Sequence, residues 1–580
     1  MIQALIAVAG EEYRGPLRRL LVGLLSEGVL VGLSLVTLMP FLFALLAEDY
    51  AKAFQWWAVL AGLLVAYGTV RIRTQLFGYV TSIEFGRTLY ARLGAHVAKL
   101  PLGWFSDERS GELAVLSSRG VVEIVTAIAH LMRPVLVTST APLIILAFMF
   151  ATDWQLALAV GLAVPLAILA MRWTKGLTSR VDDRYHAAAV ETASRLIEFA
   201  QAQPVLRAFA RGDAAARDLD VAFQQQRAAS IVQLTTVVRG LLAITVVIQI
   251  ALTVLLILGV NQALGGAISV PELAALLVLG LRFAEPILGA ADLQSALRMS
   301  EETLGRMQRL LETEPLPDPE TPTPARGHAV VLDDVSFGYG DKQVLDGVSF
   351  RAPEPGLTAL VGPSGAGKTT VLRLIARFFD VTEGAIRVGN VDVRDIGSDA
   401  LLQDIAIVFQ DVYLFEGTIA DNLRIGKPDA TDAEIAEAIA AAQLQTTMAG
   451  LPQGLDTPVG EGGAALSGGE RQRVSIARAY LKGAKLVLLD EATAALDALD
   501  EARMRDAILT MSRDRTVIAV AHRLSTVRAA EQIVFLENGC VAEVGNHESL
   551  LAQNGRYASF WRLHRKGGEH VAQTLRKADQ

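Results

Sequence analysis

The residues of this chain best suited to chemistry are Gly362-Pro-Ser-Gly-Ala-Gly-Lys-Thr-Thr370, which satisfy the phosphate-loop pattern G-x-x-x-x-G-K-[ST] at every fixed position. Gly362, Gly365 and Gly367 let main-chain N–H groups wrap the phosphates of a nucleotide triphosphate, and Lys368 adds a point charge. Thr369 offers a hydroxyl to Mg²⁺, while Pro363, Ser364, Ala366 and Thr370 complete the cradle. A second candidate, Lys485-Leu-Val-Leu-Leu-Asp-Glu491, ends an apolar run in two carboxylates. Asp490 is expected to hold Mg²⁺, and Glu491, off the metal, to orient or deprotonate the attacking water.

A phosphate loop works between a strand and a helix whose positive end faces the anion. Leu357-Thr-Ala-Leu-Val361 reads as the short buried strand, and Val371-Leu-Arg-Leu-Ile-Ala-Arg377 has helical spacing. The run before Asp490 reads as a central strand, buried on both faces, that delivers its acids at its carboxyl end. Ser467-Gly-Gly-Glu470 spells a capping box, with serine at the N-cap and glutamate three residues on, opening a helix through Arg478.

Composition sets a different problem for the rest. Of 580 residues, 52% are hydrophobic and 20% charged, which does not suit a wholly soluble protein, so part of the chain lies in lipid. The balance of 53 basic against 61 acidic residues, net −8, argues against nucleic acid as a partner. Cys540 is the only cysteine, which excludes an intrachain disulfide and a cysteine-based zinc site. Six apolar stretches, 20–46, 56–83, 128–151, 156–171, 236–260 and 273–291, are expected to cross the roughly 30 Å hydrocarbon core.

Basic residues gather at Arg14, Arg18 and Arg19, then through 87–119, 172–227 and from Arg298 onward, whereas the links 47–55, 152–155 and 261–271 carry only Lys52. By the positive-inside rule the termini and the second half are cytoplasmic, at the cell's inner membrane. Residues 1–10 are mildly apolar and lead into Glu11-Glu12 instead of a small-residue cleavage site, so they are expected as an interfacial helix. No proline interrupts 56–100, which allows one helix of roughly 65 Å, and Pro204 alone interrupts 172–233. Such helices project into the cytoplasm, and the turns near 116–122 and 208–213 are the expected coupling contacts.

Five prolines within 312–326 mark a linker. The expected architecture is a membrane α-helical six-span domain over 1–311, a Pro-rich linker over 312–328, a cytosolic α/β P-loop ATPase over 329–563 and a polar tail over 564–580.

Residues 329–563 resemble the ATP-binding cassettes. Leu466-Ser-Gly-Gly-Glu470, some twenty residues before the Asp490 strand, matches their signature. Tyr339 in Phe-Gly-Tyr looks like the aromatic that stacks on adenine. Gln410 in Val-Phe-Gln looks like the Q-loop glutamine, which also reaches the metal. Asp497 resembles the D-loop aspartate and His522 in Ala-His-Arg the switch histidine. The first half resembles the membrane domain of exporter-type half-transporters, through Trp104-Phe-Ser-Asp-Glu-Arg-Ser-Gly-Glu-Leu113 and the Asp153-Trp-Gln-Leu hairpin. The resemblance implies ATP-driven transport by a homo- or heterodimer. Leu466, Ser467, Gly468, Gly469 and Glu470 of one subunit then close over ATP held by the phosphate loop of the other. Glu470 stands where glutamine is more usual, and Ala494 where serine is.

A cassette ATPase acting on nucleic acid is set aside by the six spans, and a peptide exporter that cleaves its cargo by the lack of any cysteine before Cys540. Leu281-Arg-Phe-Ala-Glu-Pro286, with the signature and Glu491-Ala-Thr-Ala-Ala-Leu-Asp497, resembles the subgroup that imports iron-loaded siderophores of the yersiniabactin and mycobactin kind. Export of an amphipathic compound or lipid is the alternative, since hydropathy is silent on direction. Glu27, Arg71, Arg73, Gln249, Arg282 and Glu285 lie at membrane depth and are the candidate cargo cavity. Arginines there suit an anionic chelate, although Arg282 and Glu285, one helical turn apart, could instead pair with each other.

Overall fold

The computed structural model describes residues 2–209, 212–490, 498–521 and 523–563. They fall into two compact units, Met1–Ala98 with Gly111–Thr313, and Lys99–Ser110 with Glu314–Gln580.

The first unit is helical: α1 (Ile2–Ala9), α2 (Arg14–Leu46), α3 (Tyr50–Val97), α4 (Asp107–Val115), α5 (Val121–Thr126), α6 (Met132–Thr152), α7 (Trp154–Gly161), α8 (Ala163–Gln201), α9 (Gln203–Ala208), α10 (Gly212–Leu264) and α11 (Val270–Leu311). Among the described residues four helical runs, Glu11–Leu46, Tyr50–Val97, Arg109–Thr152 and Ala216–Leu264, are long and apolar enough to cross a membrane; Trp154–Ala170 is a shorter apolar run. The fourth expected span falls on α7 and α8, and the sixth on α11. Helix α3 is continuous over 48 residues, about 72 Å. Pro204 sits in the first turn of α9, where its missing N–H costs nothing, and marks the break after α8.

Helix α2 packs along α3 and α6. Gly28 and Gly32, four residues apart, make that approach close: a Cβ at either would overlap Thr140 or Ile144. The tight hairpin between α6 and α7 is capped by Asp153, whose carboxylate accepts from the N–H groups of Gln155 (2.9 Å) and Leu156 (3.0 Å). Helix α1, expected at a membrane interface, packs one face on the rest of this unit. Its Leu5, Val8 and Ala9 share one face and are fully buried, α1 packs against α11 and α3, and Arg92 Nη1 donates to Val8 O at 2.8 Å, satisfying a C-terminal carbonyl.

The second unit holds two sheets. One is antiparallel, in the order β2-β1-β4-β5, from β1 (Val330–Tyr339), β2 (Lys342–Ala352), β4 (Glu383–Val388) and β5 (Val391–Asp392). The other runs β10-β9-β3-β8-β7-β6, from β3 (Gly356–Val361), β6 (Ile405–Val408), β7 (Leu486–Asp490), β8 (Thr516–Val520), β9 (Gln532–Glu537) and β10 (Cys540–Gly545). All its pairings are parallel except β10 with β9. Strands β3 and β8 are buried throughout and β7 up to Leu489, which is why they read as unbroken apolar runs.

The prolines after α11 do mark an extended segment, and it is strapped to the ATPase. Buried Arg377 donates to Asp318 (2.6 Å), Asp380 (3.0 Å) and Pro317 O (2.5 Å). Burial pushes the Asp318 carboxyl up, but the hydrogen bonds from Ser398 and Arg377 outweigh it and hold Asp318 below its ordinary value. Arg377 also leaves the helix expected to include it, which ends at Ile375. The first expected coupling stretch, 116–122, is helical. Leu116–Gly120 is a π turn leading into α5 of the helical unit, whereas Lys99–Ser110 belongs with the ATPase. There Gly103 N donates to Phe378 O at 3.3 Å, and a Cβ at Gly103 would overlap the Phe379 ring. Of the second coupling stretch, residues 210–211 lie outside the described residues.

Candidate functional site

Strand β3 delivers Gly362 at its carboxyl end, and the helix Lys368–Ile375 follows, as a phosphate loop requires. Gly367, at φ 94°, adopts a left-handed backbone over Leu345, and a Cβ on Gly362 would overlap the Leu536 carbonyl. Lys368 is 6% exposed, with Nζ 3.0 Å from Gly362 O and 2.9 Å from Pro363 O. A buried ammonium folded back on its own loop, beside backbone that no larger residue could trace, fits a polyphosphate. Pro363, Ser364, Gly365, Ala366 and Thr370 fill the remaining turns of that loop.

Strands β3 and β7 flank β8 and run parallel, so both carboxyl ends open on one edge of the sheet. Thr369 Oγ1 lies 2.9 Å from Asp490 Oδ1. A hydroxyl and a carboxylate oxygen are the hard donors that Mg²⁺ takes. Gln410, two residues beyond β6, is exposed. Tyr339 ends β1 with its ring edge-on to Phe337 (5.0 Å) and Phe379 (5.4 Å) and its hydroxyl 3.4 Å from Thr370 Oγ1. It is 38% exposed, which leaves surface for a flat base.

Ser467 caps the helix Gly468–Leu481 as expected: Glu470 N donates to Ser467 Oγ (3.3 Å) and Ser467 N to Glu470 Oε2 (2.8 Å). Glutamate and glutamine serve a capping box alike, so Glu470 keeps the geometry that the commoner residue would give. Leu466, 4% exposed, anchors the turn, and Gly468 and Gly469 open the helix. Glu491, Ala494, Asp497 and His522 lie outside the described residues.

In the helical unit two of the candidate polar residues, Glu27 and Arg71, are linked through Arg133 and Tyr67. Glu27, 1% exposed, is engaged by Arg133, with Nε at 2.8 Å and Nη2 at 2.5 Å from Oε1. Arg71 Nη1 donates to Tyr67 Oη at 2.9 Å, and Arg133 Nη2 reaches the same oxygen at 3.5 Å. Arg73, Gln249 and Arg282 are exposed on this unit, and the Glu285 side chain lies outside the description. Sequence reasoning missed Arg133 and Tyr67. An arginine five residues inside the stretch 128–151 was the available signal for the first.

Residues 345–494 match the family described as ABC transporter, and residues 28–283 the family described as ABC transporter transmembrane region. The chain is 36% identical over 573 residues to a mycobactin import ATP-binding/permease protein, IrtB, of Mycolicibacterium thermoresistibile, covering 97% of each. It is 34% identical over 558 residues to the corresponding IrtA of Mycolicibacterium smegmatis, covering 93% of this chain and 64% of that protein. A solved structure of a bacterial Atm1-family ABC exporter with ATP bound aligns at a TM-score of 0.77 and 26% identity, over 94% of this chain and 98% of that one. With the phosphate loop, the capped signature helix and the long apolar helices in one polypeptide, the chain belongs to the ABC transporter family, as a multi-pass membrane protein that couples ATP hydrolysis to transport.

Proposed function

We propose that this transporter carries a ferric siderophore or similar metal chelate inward across the cell's inner membrane, as one half of a dimer with its termini and ATPase unit in the cytoplasm. The observation that carries this reading is the near full-length likeness to proteins named for mycobactin import. That two differently named relatives, IrtB and IrtA, both align with this chain supports a second half-transporter as partner.

Within the ATPase, the cradle 362–370 would hold ATP, with adenine on Tyr339 and the ion Mg²⁺ on Thr369, Asp490 and Gln410. Bound Mg²⁺ supplies charge neutralisation at the phosphates. Glu491 takes the proton of the attacking water, His522 stands by the transferred phosphate, and Asp497 lines the subunit junction. The N-terminus of the Ser467 helix offers main-chain donors and a positive dipole end to a phosphate held by the partner.

Uptake of iron-55 supplied as ferric mycobactin tests the reading in cells carrying the parent chain or Glu491→Gln. The amide keeps the carboxylate's shape and loses its basicity, so hydrolysis should fall at least about 100-fold and uptake with it, while bound ATP is retained. Unchanged iron accumulation in the variant, alongside ATP-dependent expulsion of a hydrophobic dye by the parent alone, overturns import in favour of export.

A further inference from the structure

One face of α3 carries a polar ladder that the transport reading has not used. Tyr67, Arg71, Gln75 and Tyr79 recur every four residues, which keeps them on one side of the helix. They are joined in pairs, Arg71 to Tyr67 and Gln75 Nε2 to Tyr79 Oη, both at 2.9 Å. Across from them stand His130, its ring 5.5 Å from that of Tyr79, and Arg133, which shares the Tyr67 oxygen with Arg71. His130 lies in a π turn, Ala127–Leu131, immediately before α6; such turns are frequent at functional sites.

Within this network of described side chains the charges do not cancel. Glu27 is committed to Arg133, and Arg71 leans on the Tyr67 hydroxyl, so two guanidiniums meet one carboxylate. Glu27 Oε2 is buried without a hydrogen-bond partner, so this pair has been desolvated without full satisfaction. In the proposed orientation Arg71, Arg133 and Glu27 each lie about 20 residues, roughly 30 Å, from the outer ends of α3, α6 and α2, toward the inner side of the hydrocarbon core. A snorkelling Arg71 would extend toward the cytoplasmic end of α3. Its guanidinium instead reaches Tyr67, one turn deeper in the bilayer, and Arg71 remains exposed on this chain. An exposed cation turned back from the inner boundary of the core toward its interior is best accommodated by water or an anionic ligand.

Resting on the import reading, we infer that Arg71 and Arg133, with Tyr67 between them, bind the anionic oxygens of the iron chelate, and that Tyr79 and His130 offer ring surfaces to its aromatic part. Planar guanidiniums hold carboxylate and phenolate oxygens in two charge-assisted bonds without losing their charge. Two guanidiniums against one carboxylate among these described side chains favour an anion over a cationic drug.

The test is iron-55 uptake from ferric mycobactin over a range of concentrations, in cells producing the parent, Arg71→Ala, Arg71→Lys, Tyr67→Phe or Arg133→Lys at matched membrane levels. Arg133→Lys keeps a cation on Glu27 and so protects the fold. Arg71→Ala should raise the apparent KM about ten-fold, Arg133→Lys and Tyr67→Phe less, and Arg71→Lys should recover part of the loss. An apparent KM unchanged in both Arg71→Ala and Arg133→Lys, with the parent importing, overturns the binding site and leaves import standing. A parent that takes up no iron from the chelate overturns import itself, and the site with it.

Discussion

Lys368, buried, and Arg133, half-buried, are both cations that the fold engages, and they are held in opposite ways. Lys368 reaches the carbonyls of Gly362 and Pro363 in its own loop. Arg133 is held by Glu27, 106 residues away, and by Tyr67 on a third helix. A side chain held by its own loop can be removed while the elements around it stay in register. One held across helices is part of what keeps them in register. Function and stability should therefore separate in the ATPase loop and coincide in the helical bundle.

The largest effect tests the local half. Lys368→Ala should lower ATP hydrolysis by about 100-fold or more, since a charge aimed at the phosphates is lost. The melting temperature of the purified protein should stay within about 2 °C of the parent, because the carbonyls that Lys368 Nζ reaches belong to its own loop. A collapse in thermal stability comparable to that in activity would show that Lys368 braces the sheet and erase the contrast.

Next in size is the distant half. Glu27→Ala leaves Arg133 without its carboxylate and should destabilise the helical unit by about 3 kcal/mol, the low end for a buried pair because Arg133 stays about a third exposed. Glu27→Leu combined with Arg133→Leu should cost less than those two single changes summed, since it removes both charges together. Thermal unfolding of the parent, Glu27→Ala, Glu27→Leu, Arg133→Leu and the double variant in detergent reads this. Additive losses would mean that the pair is two independent contacts, and that the bundle is not held through it.

The same division explains what was legible in the sequence. The phosphate loop and the Ser467 capping box are contiguous patterns whose partners lie within about six residues, the strand ending at Asp490 is an unbroken apolar run, and each stands where the residues imply. The length of α3 was equally readable, since nothing in 56–100 breaks a helix. Arg133 was missed because its partners lie on two other helices, and no local pattern signals such a meeting. The packing of α1 against α3 and α11 was not legible, because a short apolar helix looks alike whether it faces lipid or a groove between other helices. The docking of Lys99–Ser110 on the ATPase depends on Gly103 leaving room for the Phe379 ring, and a lone glycine after Pro101-Leu102 reads as an ordinary turn.

A distant attachment inside the ATPase unit sharpens the comparison at intermediate size. Arg377 is held by Asp318, 59 residues away, and by the Pro317 carbonyl. Arg377→Ala should destabilise the unit by about 2–4 kcal/mol and raise protease cleavage within 312–328, because the linker loses its anchor. Asp318 is held below its ordinary value in the fold, so this attachment is fully formed above pH about 4 and is lost as pH falls further. Limited proteolysis at pH 7 and pH 3.5 checks both. A linker equally resistant in parent and variant would mean that Arg377 serves the buried turn alone.

The smallest effect is expected at Glu434, which is partly exposed and held locally. It closes a capping box with Thr431 and pairs with Lys427. The Lys427 ammonium, then the Thr431 N–H and hydroxyl, pull its carboxyl from the usual 4.5 to about 2. The folded value lies below the unfolded one, so the stability contributed is complete above pH about 4.5 and disappears as pH falls from there toward 2. Glu434→Gln isolates the charge, because glutamine still accepts the capping hydrogen bonds. Thermal unfolding of parent and variant from pH 7 to pH 2 should therefore converge at the acid end, with the parent ahead by no more than about 1–2 °C near neutrality, and with that lead reduced by 0.5 M salt. A lead of many degrees that salt leaves untouched would show that a partly exposed, locally held carboxylate can matter as much as the buried Glu27, and the distinction between local and distant anchoring would fail.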